Sequence, residues 1–151
     1  MTTTIRKATP DDEATILSLI HELFEPPGGI PAGYTDDRAR EGIRYAIDNP
    51  DADILLAEDG AIVVGLATVY KDYRSIRDGW RTWLQDLVVT SDQRSTGVGS
   101  ALLTTAADWA RGHGCTHLDL ASGLARKDAH RFYEREGMLK ASYDFRLQLD
   151  Q

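Results

Sequence analysis

The chain has 151 residues, of which 42% are hydrophobic and 27% are charged, and its formal net charge is −7 at pH 7. This length predicts one domain over residues 1–151, and the acidic balance argues against a nucleic-acid partner, because such partners select a basic face. The single cysteine, Cys115, excludes a disulfide framework within one chain. We expect a cytoplasmic protein without a membrane partner, because no signal peptide or apolar span of about 20 residues is found.

The first half of the chain predicts a strand, two helices and a hairpin. A strand is expected at 4–8, a helix from Pro10 to about residue 24, and a second helix from 35 to about 47. The Pro- and Gly-rich stretch 25–34 is expected to be a loop. Strands are expected at 54–57 and 62–70, joined by a turn at 58–61, and Gly65 indicates a bulge. A polar loop is expected at 71–79.

The stretch 83–109 has the most informative pattern in the chain. A buried strand is expected at 84–89, a turn at 90–93, and a helix that opens on Gly97 and Gly99. Bare backbone at the positive end of a helix, with Arg94 beside it, favours a phosphate or pyrophosphate ligand. A P-loop is excluded because no Gly-Lys follows, and a dinucleotide fingerprint is excluded because its third glycine is Leu102 here.

The last third predicts a strand, a helix and a closing strand. The helix of the central stretch is expected to stop at 112–114, a strand to cover 116–121, and a helix to run from 127 to 136 before Gly137. Alternation of Tyr143, Phe145, Leu147 and Leu149 predicts a strand at 141–149. The order is β-α-α-β-β-β-α-β-α-β, which predicts an α/β (α+β) fold with a mixed central β-sheet flanked by helices.

Two motifs carry a resemblance to a known family. Arg94-Ser-Thr-Gly97-Val-Gly99 resembles the (Gln/Arg)-x-x-Gly-x-(Gly/Ala) motif of the GNAT superfamily of N-acetyltransferases. The run from Ala129 through Tyr133 to Gly137 and Met138 resembles the family's Ala-x-x-x-Tyr-x-x-x-Gly-Phe motif, with Met138 in place of Phe. The predicted order of elements is similar to the GNAT order along the whole chain.

The resemblance implies acetyl-coenzyme A (acetyl-CoA) as cosubstrate. No metal is expected, because the four scattered histidines and the one cysteine show no metal-ligand spacing. It implies that backbone N–H groups at the start of the helix hold the pyrophosphate and that one stretch of strand pairs with the pantetheine arm. The residues of the first set are Arg94, Ser95, Thr96, Gly97, Val98, Gly99 and Ser100, and those of the second are Leu87, Val88 and Val89. Arg126 either contacts a coenzyme phosphate or anchors its own loop. A homodimer is expected as well.

Transfer of an acetyl group to an amine needs a proton acceptor for the amine and a proton donor for the departing thiolate. Tyr133 is the predicted donor. Asp86 and Gln85 lie in the central strand, but they face opposite sides of the sheet, and Gln85 stands where many members have Glu. Either Gln85 orients a water relay or Asp86 contributes through its charge, or a loop carboxylate, Glu25 or Asp72, is the base. Pairing with Arg81 or capping of a backbone group is a purely structural alternative for Asp86.

Two loops, 25–34 and 71–79, are expected to set acceptor specificity. They and their flanks carry residues suited to hold a cation by charge and aromatic faces, namely Tyr34, Asp72, Tyr73, Asp78 and Trp80. His21 is either an acceptor-pocket or a surface residue. The sequence thus predicts direct acetyl transfer to a primary amine of a small molecule, such as a polyamine, an amino acid or an aminoglycoside-like compound. The alternatives are a protein N-terminal or lysine acetyltransferase and a non-catalytic coenzyme A-binding regulatory module.

Overall fold

A computed structural model describes residues 3–150 and shows one mixed sheet flanked by helices. The five strands lie side by side in chain order: β1 Thr3–Lys7, β2 Ala52–Asp59, β3 Ile62–Ser75, β4 Gly79–Val89 and β5 His117–Asp119. The first four pair antiparallel, and β5 pairs parallel to β4. The helices are α1 Glu13–Glu22, α2 Asp36–Asp48, α3 Val98–Gly112 and α4 Lys127–Arg135. The predicted class is confirmed.

The helices cover both faces of the sheet, and each face has its own apolar core. Neighbouring residues of β2 show why: Leu55 joins the core under α3, whereas Leu56 joins the core under α1 and α2. Successive side chains of a strand point to opposite faces, so a strand covered on both sides becomes a continuous apolar run. No helix within residues 3–150 is long and apolar enough to cross a membrane.

An irregularity in β4 decides which residues face which core. Thr68 pairs with Asp86 and Val69 pairs with Leu84, so Gln85 is an extra residue without a partner in β3. Such a bulge reverses the alternation of the strand. Leu84 therefore lies in the core under α3, while Val88 lies in the core under α1 and α2, although four positions separate them. A second bulge lies in β3, where Ala57 pairs with Gly65 and Glu58 pairs with Val63, so Val64 has no partner in β2. It is next to Gly65, where a bulge was expected.

The prediction of a loop over residues 71–79 is wrong about the length of the loop. β3 continues to Ser75 and β4 begins at Gly79, which leaves only residues 76–78 as the turn. The polar residues of this stretch satisfy one another across the hairpin: Asp72 accepts hydrogen bonds from Arg81, and the Arg81 guanidinium lies 4.4 Å from the centre of the Tyr73 ring. Their polarity therefore marks an exposed strand pair rather than a loop.

The strand expected at 141–149 is also wrong in this structure. Residues 138–150 form neither helix nor strand, and the residues beyond Met138 are exposed. β5 is three residues long, shorter than the expected 116–121. The alternation in the closing segment is real, but a strand needs a neighbouring strand for its backbone groups, and none lies beside it among residues 3–150.

Candidate active site

The start of α3 has the uncapped, open geometry that the predicted anion site requires. Gly97 is the N-terminal cap with φ of +93°, a conformation that suits glycine, and no side chain caps the helix there. A Cβ atom at Gly97 would have no neighbour within 4 Å, so the space in front of the helix is open. The first N–H groups of a helix lack intrahelical partners and carry partial positive charge. They are therefore available to an anion.

The loop that leads into α3 is held by its own side chains. Arg94 donates from Nε to the carbonyl of Val89 at 3.2 Å, and Thr96 donates from its hydroxyl to the carbonyl of Gln93 at 2.5 Å. Ser95 has φ of +67°, which is uncommon for a residue other than glycine. A fixed loop with an unusual backbone angle is typical of a ligand-binding site.

The start of α3 also holds α4 in place. The Phe132 ring lies 3.3 Å from where a Cβ atom of Gly99 would be, so the absent side chain gives Phe132 its packing space. The hydroxyl of Ser100 donates to Glu136 at 2.6 Å, just beyond the end of α4. Gly99 and Ser100 were predicted to bind the coenzyme; the structure shows that they also join the two helices that carry the two sequence motifs.

Tyr133 lies on α4 beside this joint. Its ring packs edge-on against Phe132 with the ring centres 5.4 Å apart. Burial raises the pKa of the Tyr133 phenol, and the positive charge of Arg126 opposes that shift. The phenol is therefore a proton donor at neutral pH, as the proposed role requires.

The strands β4 and β5 pair over three residues only. Their parallel pairing runs from Arg81–His117 to Trp83–Asp119. Beyond Trp83, β4 continues to Val89 and pairs with β3 through Leu87, Val88 and Val89, but it has no strand on its other side. This edge lies next in the chain to the loop before α3. It offers the backbone to which an extended ligand adds like a strand.

A cavity of about 360 Å³ lies on the face of the sheet opposite to α3. It is enclosed by α1, α2, the loop that joins them, and the strands. Its walls are largely apolar, from Ile16, Ile20, Phe24, Ile43 and Ile54. The polar groups that reach it are Tyr34, Thr68, Tyr70, Asp86 and Arg126. A largely apolar cavity of this size with a few polar groups is typical of a small-molecule site.

Asp86 is the carboxylate of this cavity. Its Oδ2 accepts a hydrogen bond of 2.8 Å from the hydroxyl of Thr68, whose oxygen accepts in turn from the Asp86 N–H at 3.0 Å. Burial raises the pKa of Asp86, and the hydrogen bond from Thr68 opposes the shift. Burial, together with the negative charge of Asp86, raises the pKa of Tyr70 to about 12. The predicted pairing of Asp86 with Arg81 is wrong, because Arg81 pairs with Asp72 and Asp119 instead.

Arg126 precedes α4 and reaches the same cavity. Its Nη2 donates to the carbonyl of Leu23 at 2.8 Å, and this nitrogen lies 2.5 Å from where a Cβ atom of Gly28 would be. The guanidinium thus anchors α4 to the end of α1 and to the loop 25–34. Arg126 was predicted to contact a coenzyme phosphate or to anchor its own loop, and neither alternative included this cavity.

At the rim of the cavity, three polar side chains form a cluster. His21 Nε2 lies 2.9 Å from Asp36 Oδ1 and 3.1 Å from the Tyr34 hydroxyl, which donates to Asp36 at 2.7 Å. Burial and the hydrogen bond to Asp36 raise the pKa of Tyr34 to about 12. The hydrogen bonds from Tyr34 and His21 lower the pKa of Asp36. The cluster fixes Tyr34 and the loop that precedes α2.

The other candidate groups lie elsewhere. Gln85 is exposed at the bulge and accepts a hydrogen bond from Trp83 at 2.6 Å. Glu25 is exposed in its loop. Asp72 and Tyr73 hold Arg81, and Lys71 lies 4.6 Å from the centre of the Trp80 ring. The acidic and aromatic residues expected to bind a cation at 71–79 do bind cations, but these are Lys71 and Arg81 of the chain itself rather than a substrate.

Comparison with known proteins identifies the family. Residues 16–138 match the acetyltransferase (GNAT) family. The chain is 31% identical to the aminoalkylphosphonate N-acetyltransferase of Salmonella typhimurium over 141 residues, which cover 93% of this chain and 88% of that protein. It is 51% identical to the uncharacterized N-acetyltransferase YhdJ of Bacillus subtilis over 73 residues, which are 48% of this chain and about half (51%) of that protein.

Solved structures share the fold. An aminoglycoside N-acetyltransferase, AAC(6')-Iy in complex with CoA, superposes on this chain with a TM-score of 0.82 at 16% identity. The superposition covers 98% of this chain and 95% of the other chain. The chain belongs to the GNAT family of acetyltransferases, and the resemblance drawn from its two motifs is confirmed. Both of these relatives are named N-acetyltransferases, in agreement with the predicted enzyme class. Among residues 3–150, no group of three or more His, Cys, Asp and Glu side chains is placed to hold a metal ion.

Three polar residues that line the cavity were not predicted to do so from the sequence. Thr68 and Tyr70 were not candidates, and Arg126 was not placed on the acceptor side. A signal for the first two was present, since Leu66, Thr68 and Tyr70 alternate along one strand and therefore share a face. The position of Arg126 had no such signal, because its contacts with Leu23 and Gly28 join residues about a hundred positions apart.

Proposed function

We propose that this protein transfers the acetyl group of acetyl-CoA directly to the primary amine of a small molecule that also carries an anionic group. The observation that carries the proposal is the cavity of about 360 Å³ with one carboxylate, Asp86, and one guanidinium, Arg126, among its lining groups. A small molecule with an ammonium and an anion matches both charges. Such an acceptor is the amino-acid-like member of the three classes that the sequence predicts.

The coenzyme side rests on the α3 start and the β4 edge. The N–H groups of residues 94–100 and the charge of Arg94 would hold the pyrophosphate, since the space in front of Gly97 is open. The backbone of Leu87, Val88 and Val89 has no strand on its outer side and would pair with the pantetheine arm. Acetyl-CoA supplies the acetyl group as a thioester.

Asp86 is the proposed proton acceptor. An alkylammonium has a pKa near ~10, so only about one amine in a thousand is neutral at pH 7. Asp86 binds the ammonium in the cavity and takes its proton, and its raised pKa suits this role because a more basic carboxylate is a better proton acceptor. Tyr133 is the proposed donor of a proton to the thiolate that leaves, and the second proton, which the nitrogen loses as the amide forms, replaces the one that the phenol gives up. The N–C bond of the amide forms as the C–S bond of the thioester breaks.

Arg126 is the proposed anchor of the anionic group. It donates one hydrogen bond, to the Leu23 carbonyl, and a guanidinium has five N–H donors in a planar fork that suits carboxylates and phosphonates. No carboxylate within residues 3–150 forms an ion pair with it. The relative from Salmonella typhimurium, named for aminoalkylphosphonates, supports an acceptor of this charge pattern. The dicationic polyamine and polycationic aminoglycoside classes fit an arginine-lined cavity less well.

The test is thiol release from acetyl-CoA with matched amines. The panel pairs 2-aminoethylphosphonate and β-alanine with ethanolamine, which lacks the anion, and adds putrescine and kanamycin. We expect kcat/KM to be highest for the anionic amines. In Arg126→Gln their KM should rise about tenfold or more, since a charge-assisted hydrogen bond contributes roughly 1.5–3 kcal/mol, whereas the values for ethanolamine should not change.

Two controls separate charge from structure. Arg126→Lys keeps the positive charge and should recover part of the affinity, and Arg111→Gln removes an exposed arginine at the far end of α3. Preference for ethanolamine or putrescine over the anionic amines would overturn the anionic acceptor. Absence of thiol release with every amine, while coenzyme A still binds, would favour the non-catalytic alternative.

A further inference from the structure

The cavity on the acceptor side is larger than the two charged groups of the proposed acceptor require. Its volume is about 360 Å³, and liquid water occupies about 30 Å³ per molecule, so the cavity has room for about a dozen groups of that size. An amine and an anion joined by a short chain, as in β-alanine, fill about half of this space. Protein interiors contain few voids larger than a water molecule, so the remaining space indicates a further group on the ligand.

The uncharged part of the cavity wall is largely apolar. Ile16, Ile43 and Ile54 line it with exposed fractions of 6% or less. Phe24 and Tyr34 close one side with their rings edge to face, and the ring centres are 4.7 Å apart. Burial of one methylene group of a ligand contributes a factor of about four in affinity. The wall therefore favours an apolar group over a polar one.

Gly42 leaves space at the α2 wall of the cavity without a requirement from the fold. It lies in the interior of α2, where glycine is the least favourable residue apart from proline. Its backbone is not left-handed, and a Cβ atom there would meet no atom of residues 3–150 within 4 Å. At Gly28, by contrast, a Cβ atom would collide with the carbonyl oxygen of Leu23. Neither conformation nor close packing explains Gly42, which lines the cavity together with Ala39, one turn earlier.

The two charged groups and Gly42 lie on three different walls of the cavity. Asp86 belongs to the sheet, and Arg126 reaches the cavity from the start of α4 and donates to the end of α1. Gly42 belongs to α2. An acceptor whose amine contacts Asp86 and whose anion contacts Arg126 therefore has space for a third group toward α2. A carbon atom that bears an amine, an anionic group and a side chain has this branched shape.

We infer that the acceptor carries a branched or aromatic apolar substituent beside its amine and its anionic group, and that Gly42 and Ala39 leave the space for it. The acceptor class is that of apolar amino acids and their aminoalkylphosphonate analogues, which share these three groups. The inference rests on the proposed function for the sites of the two charges and adds the third group of the substrate. Gly42 is a specificity-determining residue, because its missing side chain sets the size of the substituent that enters.

Two series of acceptors with constant charges test the inference. One series is glycine, alanine, leucine and phenylalanine, and the other contains the corresponding 1-aminoalkylphosphonates, so the two series distinguish a carboxylate from a phosphonate. Thiol release from acetyl-CoA gives kcat/KM for each member. In the series with the preferred anion, kcat/KM should rise at least about tenfold from the unsubstituted member to the isobutyl or benzyl member. A constant or falling kcat/KM along both series would overturn the apolar substituent.

Gly42→Leu tests whether the substituent occupies the cavity at α2. The new side chain would fill the space at this wall, so the ratio of kcat/KM for the benzyl member to that for the unsubstituted member should fall at least about tenfold. Glu41→Leu adds the same side chain at the neighbouring exposed position, outside the cavity lining, and should leave this ratio within about twofold. Equal ratios in the two variants would contradict the placement of the substituent.

The melting temperature of Gly42→Ala tests whether the fold requires glycine. Alanine is the more favourable residue in a helix interior, so this variant should melt about 2–4 °C above the wild type. A lower melting temperature would show that the fold itself needs glycine at this position, and it would remove the reason to assign the space to a ligand.

Binding measurements separate a failure of this inference from a failure of the proposed function. Calorimetric titration of the same acceptors into the protein saturated with coenzyme A requires no turnover. Tighter binding of the benzyl member without thiol release, lost in Gly42→Leu, would support the apolar site and overturn the transfer reaction. Thiol release with equal affinities along both series would support the transfer reaction and overturn the apolar substituent. Absence of binding by every acceptor would overturn both.

Discussion

The coenzyme side and the acceptor side of this site are built in opposite ways. The coenzyme side is one stretch of chain, residues 94–100, whose backbone N–H groups and missing side chains create the binding surface. The acceptor cavity collects side chains from α1, α2, β2, β3, β4 and the residue before α4. A site made of backbone depends on local conformation, whereas a site made of side chains depends on tertiary packing. Substitutions should therefore affect the two sides separately.

The largest effect is expected at Asp86. Asp86→Asn keeps the size of the side chain but removes the proton acceptor, so kcat/KM should fall about 10³-fold, within the range for general base catalysis. In the wild type, activity should decline as the pH falls through the raised pKa of Asp86, and the variant should lack this decline. Thiol release from pH 4 to 9 measures both, with Asp108→Asn on exposed α3 as the control. Wild-type activity in Asp86→Asn would assign the base elsewhere.

Tyr133 should have the next largest effect. Tyr133→Phe removes only the phenolic oxygen and should lower kcat about 10²-fold, while the affinity for coenzyme A stays within about twofold. Single-turnover kinetics and calorimetric titration give the two quantities. Tyr45→Phe, at an exposed position of α2, is the matched control. Equal kcat values for Tyr133→Phe and wild type would remove the proposed donor.

Gly99 tests the joint between α3 and α4. In Gly99→Val the new side chain meets Phe132, whose ring already lies 3.3 Å from the Cβ position. Overpacking of this kind destabilises by about 1–3 kcal/mol, and the displacement of α4 should lower kcat about tenfold by moving Tyr133. Gly112→Val, at the other end of α3 with no neighbour within 4 Å, should leave kcat unchanged. If both variants lose activity equally, the joint does not position Tyr133.

The smallest expected effect is on the stability of Asp86→Asn, which should increase although the activity of this variant should fall. Burial raises the folded-state pKa of Asp86 above its unfolded value, so the folded state binds more protons and stability decreases as the pH rises through that interval. Asp86→Asn removes this dependence. It should be more stable than wild type by about 1 kcal/mol at pH 7, a common gain when an active-site group is neutralised, and the difference should shrink at pH 4. Urea unfolding at both pH values measures it; a larger difference at pH 4 would contradict the assignment.

The same contrast explains how far the sequence determines the site. Residues 94–100 were predicted together with a ligand class, because a helix start with two glycines is a local feature of the sequence. In the structure, Gly97 has a φ of +93°, which suits glycine. The fold class followed from the order of elements and the two motifs. The sequence did not indicate which side of the sheet Asp86 faces or which residues it contacts. Both depend on the bulge at Gln85, which exists only because of how β4 pairs with β3.

Two further differences between the sequence-based predictions and the structure also arise from tertiary packing. The strand at 141–149 was predicted from a valid alternation, but alternation does not supply a partner strand, and none lies beside this segment in one chain. Arg126 was considered only for the coenzyme or its own loop, because its contact with Leu23 spans 103 positions. Local patterns specify which residues can form an element or a backbone site, and tertiary packing decides which side chains meet.

The most direct test compares the affinity of coenzyme A in two variants, one from each side of the site, by calorimetric titration. Gly97→Asp places a carboxylate and a side chain at φ of +93° in front of α3, so the dissociation constant should rise at least tenfold. Asp86→Asn alters only the acceptor side and should leave it within about twofold of wild type. Unchanged affinity in Gly97→Asp, or equal losses in both variants, would contradict a site with separate coenzyme and acceptor sides.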